Sequence, residues 1–572
     1  MTLVDDGRST LVDLRVSANR AAELRALLLR SPSWTLTRRQ MCDLELLACG
    51  GFSPLRSFLG EQDYVSVCAD GRLADGTLWP IPVTLDVPGR VAGAAGRHGL
   101  LALRDPEGEV LAALEITEAW RPNPRAEAAA VFATTDDAHP GVDHLLHHTN
   151  RWYVSGRLEV LKLPEHRQFR DLRRTPAQLR DEFARLGWDR VVAFQTRNPM
   201  HRAHQQLTLR AAQSAAAKLL IHPVVGIGLP GDIDATTRVR CYRALLPDYP
   251  PGTAMLSVLP LAMRMAGPRE ALWHTIVRRN YGATHFIVGR EHASPGPDSR
   301  GRRFYEPYAA QQLLAAHESE LGVRIVPFRR MVYVPDADGY YAEDDAPTGA
   351  TVQSISGTEL RERLAAGADV PAWFTPPAVA EELRRAYPPR TERGFTVFFT
   401  GLSGAGKSTI AEALCAELGE RYGRSITLLD GDRVRQHMSA GLGFSRKDRD
   451  RNVLRIGYVA AEITRHRGIA VCAPIAPYDR ARREVRRMVE AGGGFVMVYV
   501  ATPLDVCEQR DRKGLYARAR AGLLPNFTGV SDAYDPPADA DVVIDTRYQS
   551  VDAAVAEILA RLRALQYLPA SI

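Results

Sequence analysis

Lysine is nearly missing from this chain. Of its 73 basic residues only Lys162, Lys218, Lys407, Lys447 and Lys513 are lysine; the rest are arginine. No basic block with interleaved aromatics appears, so no nucleic-acid-binding module is indicated and none is expected as a partner. Cysteine is also sparse. The seven cysteines include no C-x-x-C pair and their number is odd, which argues against a disulfide framework and against zinc-finger spacing. Free thiols in a reducing, cytoplasmic setting are the expectation. No apolar run reaches 18 residues, so no membrane span is expected. The stretch Met1 to Arg30 is mixed and charged, without the apolar centre of a signal peptide. No internal repeat is visible.

What is present is length and alternation. A chain of 572 residues corresponds to three or four domains. The modest positive excess, a formal +6, suits polyanionic substrates. Residues 1–165 read as short strands between turns, with candidates at Leu78 to Val87, Gly99 to Arg104 and Val110 to Ile116, hence a β-rich domain. From Arg173 the pattern becomes helix and strand in alternation, the mark of an open parallel α/β sheet. Helices are expected over Ala177 to Leu186 and Ala203 to Leu219, and strands over Arg190 to Gln195, Leu219 to Val225 and His285 to Val288. Residues 166–326 form this second domain, Rossmann-like. A small α/β satellite domain is expected over 327–388, with Ser356 opening a helix. Pro388-Pro389 and the charged, glycine-ending run after them form a linker. Residues 389–572 then begin with an apolar strand, Phe395 to Thr400, ahead of a helix from Thr409 to Leu418.

Two loops in these contexts carry chemistry. Gly401-Leu402-Ser403-Gly404-Ala405-Gly406-Lys407-Ser408-Thr409 fits G-x-x-x-x-G-K-[ST] between a strand and a helix. Its backbone N–H groups and the helix N-terminus would cradle ATP phosphates. Lys407 would reach the β- and γ-phosphates, and the Ser408 hydroxyl would ligate Mg²⁺. Earlier, Gln195-Thr196-Arg197-Asn198-Pro199-Met200-His201-Arg202-Ala203-His204 follows a buried strand and supplies an amide, a guanidinium and two imidazoles one helical turn apart. An H-x-x-H pair could bind a metal, but zinc needs a third ligand and none stands at metal spacing. The other reading is hydrogen bonding to phosphates at a helix start.

Around the P-loop stand Asp430-Gly431-Asp432-Arg433-Val434-Arg435, Gly441 to Ser445 with Phe444, Asp448-Arg449, Asn452, Lys513-Gly514-Leu515-Tyr516 and Asn526-Phe527-Thr528-Gly529. With these, residues 390 to 572 resemble the adenosine 5′-phosphosulfate (APS) kinases. The resemblance implies that Asp432 serves the acceptor 3′-hydroxyl or the metal. It implies that Arg435, Arg449, Asn452 and Ile475 hold the phosphosulfate nucleotide, that Phe444 and Phe527 enclose its adenine, and that Lys513 sits in a lid. Where that family has Ser-Pro-Tyr/Phe-Arg, this chain has Ala476-Pro477-Tyr478-Asp479, which removes any role for the serine hydroxyl and changes the local charge.

Residues 1 to 388 resemble the ATP sulfurylases. The segments that carry this are the 195–204 loop, Gly51 to Leu55, Trp79 to Leu85, Thr134 to Asp136, His139 to Val142, Arg264, Ala266 to Glu270, Gly289 to Ala293 and Ser354 to Thr358. By resemblance Gln195, Arg197, Arg290 and the Ala293 N–H bind sulfate. Thr196, Arg197 and Asn198 act at the transferring centre, and His201 and His204 bind the pyrophosphate portion of ATP. Gly289, Arg290, Glu291 and His292 line the nucleotide, with Val332 contacting adenine through its backbone. The segments around Phe52 and Trp79 read as packing. Family members usually have G-R-D-H-A-G where Glu291 and Ser294 stand here.

The combined expectation is a bifunctional transferase: sulfate and ATP give APS and pyrophosphate, and a second ATP phosphorylates the APS 3′-hydroxyl. Alternatives are a sulfurylase running in reverse to make ATP, or a C-terminal domain serving mainly as a regulatory module. The expected partners are ATP, sulfate and APS in a homo-oligomer. Mg²⁺ accompanies ATP, and no tightly bound metal or organic cofactor is expected.

Overall fold

The structure, a computed structural model, describes residues 10–228, 232–327 and 329–570, apart from the side chains of 432, 433 and 435. It divides into two compact units, one of residues Met1–Ile355 and Pro371–Leu383, the other of Ser356–Val370 and Arg384–Ile572. The segment 327–388, expected as one small domain, is thus shared between them. The helix Gly357–Ala366, capped by Ser356, falls in the second unit, where Gly367 behind it lies against Pro389.

The first unit opens on strands β1 (Ser33–Thr35), β2 (Leu85–Val87), β3 (Leu100–Arg104), β4 (Val110–Trp120) and β5 (Trp152–Val160), in the sheet order β1-β3-β4-β5-β2. The strand expected over 78–87 is reduced to β2, because Pro80 and Pro82 withdraw the donors a ladder needs. Phe52 and Trp79 are fully buried and pack with Trp273, their ring centroids 5.0 to 6.5 Å apart, so those segments do serve packing. A second sheet follows, entirely parallel: β6 (Val191–Phe194), β7 (Lys218–Ile221), β8 (Ala254–Leu256), β9 (His285–Val288) and β10 (Arg324–Pro327), ordered β10-β9-β6-β7-β8. All four residues of β6 are buried, as an inner parallel strand covered on both faces must be. The chain winds outward from β6 through β7 to β8, then returns to β9 on the other side of β6. Ligands bind at such a reversal, beyond the carboxyl ends of the strands. The hairpin β11 (Met331–Val334) and β12 (Gly339–Ala342) packs on the helix Arg202–Ser214. That helix is shorter than the 203–219 expected, since 218–221 is drawn into β7.

The second unit holds β13 (Phe395–Thr400), β14 (Ile426–Asp430), β15 (Ile469–Ala473), β16 (Gly494–Val500) and β17 (Val542–Ile544), all parallel in the order β14-β15-β13-β16-β17. The six residues of β13 are all buried. It lies at the centre, so the glycine-rich loop that follows it emerges at the middle of the sheet edge.

Within the N-terminal core, Glu127 accepts hydrogen bonds from the Tyr64 and Tyr153 hydroxyls at 2.9 and 3.1 Å. Burial nevertheless pushes its carboxyl up to about 7 from 4.5. Between those values the folded state holds a proton that the unfolded chain has released. The stability tied to that proton is complete below pH 4.5 and lost as the pH rises through 7. Thermal unfolding between about pH 5 and 8 should show the wild type losing stability relative to Glu127→Gln; parallel curves would rule this titration out.

Candidate active sites

The first site lies where β6 and β9 end side by side. Tyr242, fully buried, donates its hydroxyl hydrogen towards the carbonyls of Asn198 and Thr196, at 2.8 and 3.2 Å, and so pins the loop after β6. Gln195 accepts at Oε1 from Arg278 Nη2, and Arg278 also reaches the carbonyl of His222. Arg278 is completely buried, and burial lowers its pKa to about 9. Arg197 Nη1 stands 3.6 Å from Asp232, and its Nη2 3.5 Å from the Ser294 carbonyl. Thr196 accepts the Asn198 N–H at Oγ1. On the β9 side Arg290 pairs with Glu291 at 3.1 Å, and Glu291 lies 3.4 Å from Arg303. A glutamate where the family usually has aspartate is therefore used in local ion pairs. Gly289 has no atom within 4 Å of where a Cβ would stand. Ala293 holds a φ of +51°, and its carbonyl accepts the Gly267 N–H. Val332 is buried in β11 opposite Tyr341.

The two histidines open the helix Arg202–Ser214. His204 Nδ1 accepts the backbone N–H of His201 at 3.2 Å, so in the neutral ring Nε2 carries the hydrogen. His201 stacks on Phe374 with ring centroids 4.5 Å apart, and its Nδ1 is 2.8 Å from Thr375 Oγ1. Burial pushes the His201 pKa down to about 3, helped by His204, and burial alone takes His204 to about 4. Among the described residues no group of three or more His, Cys, Asp or Glu gathers as a metal site.

The second site surrounds the loop after β13. Gly401, Gly404 and Gly406 all have positive φ, and a Cβ at Gly401 would meet the Val500 carbonyl at 2.5 Å. Carbonyls of the loop are taken up from behind. Tyr516 donates to Ser403 O at 2.9 Å, and Thr502 and Thr546 both donate to Ala405 O at 3.1 Å. The first N–H groups of the helix Lys407–Tyr422 lack intrahelical acceptors, so this end of the loop presents donors. Lys407 Nζ donates to Leu402 O at 2.7 Å, and burial lowers its pKa to about 8, with Lys513 near enough to lower it further. Ser408 Oγ donates to Asp430 Oδ1 at 3.0 Å. Asp430 stands in the 430–435 run quoted from the sequence but carries no role there, because only its place at the carboxyl end of the edge strand β14 brings it to the P-loop serine. Thr409 continues the helix.

Arg449 is buried, and its guanidinium donates to Thr528 Oγ1, Asn526 O and Asp532 Oδ2, the last at 2.9 Å. Phe527, in that same segment, stands edge-on to Tyr516 with ring centroids 5.0 Å apart. Asn452 accepts from Ser439 at 2.5 Å, and the Ile475 carbonyl accepts from Gly401 and Thr400. Phe444 is largely exposed. Asp432 and Arg435 fall within the helix Gly431–His437, but their side chains lie outside the described residues. The altered 476–479 segment is explained locally. Ala476 takes a φ of +45° while its carbonyl accepts from Thr400 and Arg482. Asp479 begins the helix Asp479–Glu490, where an acid is favoured, and pairs with Arg483 at 2.7 Å.

A nucleotide-binding parallel sheet with an H-x-x-H helix start, in one chain with a P-loop kinase sheet, defines a nucleotidyltransferase coupled to a kinase. Family models agree with both parts: ATP-sulfurylase over residues 170–386, adenylylsulphate kinase over 393–545, and a PUA-like domain over 4–163. Among its relatives are the sulfate adenylyltransferases of Phaeosphaeria nodorum, 50% identical over 545 residues with 95% of each chain covered, and of Yarrowia lipolytica, 51% identical over 529 residues with 92% of each covered. A solved structure, the hexameric APS kinase from Thiobacillus denitrificans, superposes with a TM-score of 0.81 at 39% identity, covering 99% of this chain and all of that one. The chain belongs to the sulfate adenylyltransferase family.

With pKa values of about 3 and 4, both loop imidazoles are neutral above about pH 5. Histidine-resolved NMR titration from pH 5.5 to 8.5 should therefore show no protonation step at His201 or His204; a step near 6.5 at either would contradict their burial.

Proposed function

We propose that the chain activates sulfate in two steps at two separate ATP sites. In the first, sulfate displaces pyrophosphate from ATP to give APS. In the second, another ATP phosphorylates the 3′-hydroxyl of APS to give 3′-phosphoadenosine 5′-phosphosulfate. The observation that carries this reading is the presence, in one chain, of an H-x-x-H helix start beside β6 and an intact P-loop after β13.

Sulfate is a weak nucleophile, so the first site must orient it and offset charge rather than form a covalent intermediate. We assign Gln195, Arg197, Arg290 and the Ala293 N–H to sulfate. The buried Arg278 acts behind them, holding the Gln195 amide by its oxygen. Thr196, Arg197 and Asn198 serve the transferring centre. His201 and His204 donate neutral N–H bonds to pyrophosphate oxygens. A neutral donor stabilises the leaving group without the cost of burying a cation. Gly289 to His292 and Val332 line the nucleotide.

In the second site the loop from Gly401 to Thr409 cradles the phosphates, Lys407 reaches the β- and γ-phosphates, and Lys513 approaches the transferring group. Asp432, Arg435, Phe444, Asn452, Ile475 and Phe527 hold APS. Arg449 takes part by ordering the Asn526–Thr528 segment. The Ser408 hydroxyl beside the Asp430 carboxylate offers the hard oxygen donors that Mg²⁺ prefers. The ion would arrive with ATP and neutralise charge on its phosphates. The proposed domain limits are 1–165, 166–326, 327–388 and 389–572. A homo-oligomer is proposed on the hexameric relative, and a cytoplasmic location on the ATP substrates and seven free cysteines. No helix among the described residues is long and apolar enough to cross a membrane.

Lys407→Ala should abolish phosphorylation of supplied APS and leave sulfate-dependent pyrophosphate release intact; loss of both activities in a folded variant would refute two independent sites. Arg197→Ala removes a charge-assisted partner worth about 1.5–3 kcal/mol. It should cut adenylyl transfer about tenfold or more while APS phosphorylation proceeds normally. A near-normal rate of APS formation would refute the assignment of Arg197.

A further inference from the structure

Residues 371–375, part of the first unit, grip the start of the helix Arg202–Ser214. The Phe374 carbonyl accepts the Arg202 N–H at 3.0 Å, and the Ala372 carbonyl accepts from Arg202 Nε at 3.3 Å. The Phe374 ring stacks on His201, and Thr375 Oγ1 stands 2.8 Å from His201 Nδ1. The segment is itself anchored. The N–H groups of Phe374 and Thr375 both donate to the Pro371 carbonyl, at 2.9 and 3.0 Å. Trp373 stacks on Tyr333 of β11 with ring centroids 5.0 Å apart, and its carbonyl accepts from the Tyr340 hydroxyl of β12. Thr375 therefore meets His201 from a fixed direction.

Thr375 is completely buried. A hydroxyl has one hydrogen to donate and two lone pairs to accept with. Among the described residues, His201 Nδ1 is the only hydrogen-bond partner of this one. If Nδ1 carried the ring hydrogen, the hydroxyl would accept it, and its own hydrogen would be stranded in the interior. Buried donors are left without acceptors more rarely than lone pairs are left unmatched. If the hydroxyl donates instead, only lone pairs go unused. The His201 ring is neutral, since burial lowers its pKa, so a bare Nδ1 puts the ring hydrogen on Nε2. Nε2 has no partner among the described residues, yet it is not one of their sealed, unpartnered polar atoms, so it is open to an incoming group. Phosphate oxygens only accept, and an Nε2–H suits them. For His204 the backbone N–H of His201 imposes the same tautomer. We propose that Thr375 is a positioning residue, whose hydroxyl donates to His201 Nδ1 and so holds the ring hydrogen on Nε2 for the pyrophosphate portion of ATP. The proposal rests on the reading of the first site as an adenylyl-transfer site.

The test joins a ring tautomer to a substrate dependence, both in the full-length protein. Proton–nitrogen correlation spectra of the histidine-labelled wild type, with the His201 ring assigned by its loss in His201→Gln, should show the hydrogen on Nε2. Thr375→Val keeps the shape and removes the hydroxyl, and a share of its His201 rings should carry the hydrogen on Nδ1. In initial-rate formation of ATP from APS and pyrophosphate, Thr375→Val should raise KM for pyrophosphate about tenfold or more, the scale on which outer partners of a histidine act. KM for APS should stay where it is. Thr375→Ser restores a donor and should match the wild type in both measurements. A wild-type ring with its hydrogen on Nδ1 would overturn the proposal whether or not any variant folds. So would a Thr375→Val ring still wholly protonated on Nε2, an unchanged pyrophosphate KM, an equal rise for pyrophosphate and APS, or a Thr375→Ser no better than Thr375→Val. A wild type that shows the Nε2–H ring but makes no ATP from APS and pyrophosphate would instead refute the adenylyl-transfer reading on which the proposal stands.

Discussion

The first unit depends on one polar helix being buried. Eleven of the fourteen residues of Gly267–Asn280 are buried, among them Glu270, His274, Arg278 and Asn280, which are completely so. Buried charges and amides are tolerated only when they are paired or hydrogen-bonded, and each partner here ties the helix to another part of the unit. Asn280 donates to the carbonyls of Gly51 and Ser53, at 3.1 and 2.8 Å, and Arg269 donates to Val67 O. These bonds join the N-terminal region to the catalytic sheet. At the helix start, Glu270 holds the backbone of Arg264, whose guanidinium meets Asp43 at 2.6 Å with both side chains buried. At the other end Arg278 holds Gln195. Satisfying this helix thus assembles the floor of the first site.

The two sites meet the same problem in different ways. Each sets a helix start, whose first N–H groups lack acceptors, at the carboxyl edge of a parallel sheet, the kind of place where phosphates bind. In the first, burial makes both histidines neutral and leaves the arginines of that site as its positive charge. In the second, a nearly buried lysine carries charge, and its own loop carbonyl holds it in place at 2.7 Å. A phosphate arriving at Lys407 would favour its charged form and so offset the lowering that burial causes.

Departures from family patterns are absorbed locally. Glu291 is occupied by Arg290 and Arg303, and Asp479 starts a helix and meets Arg483. In both cases the changed side chain finds its partners within its own loop or helix turn, or close by. The P-loop architecture does not pass through either residue.

Much of the architecture could be read from residue order. The apolar runs at 191–194 and 395–400 are strands because inner parallel strands must be apolar on both faces. The P-loop is legible because its glycines, lysine and serine are contiguous, and the H-x-x-H loop for the same reason. Periodicity failed where chemistry overrode it. Prolines cut the 78–87 strand to three residues, and the 267–280 helix is core although it carries three arginines, a glutamate and a histidine. Local sequence by itself determined the two sheets, the two loops and the family, since each is written in neighbouring residues. Only the tertiary structure decided that Arg278 lies beneath Gln195, that Tyr242 pins the 195–198 loop, that Asp430 faces Ser408, and which hydrogens the histidines carry. The first three depend on partners from 22 to 83 positions away in the chain and the last on burial, and neither burial nor distant contact is encoded in spacing.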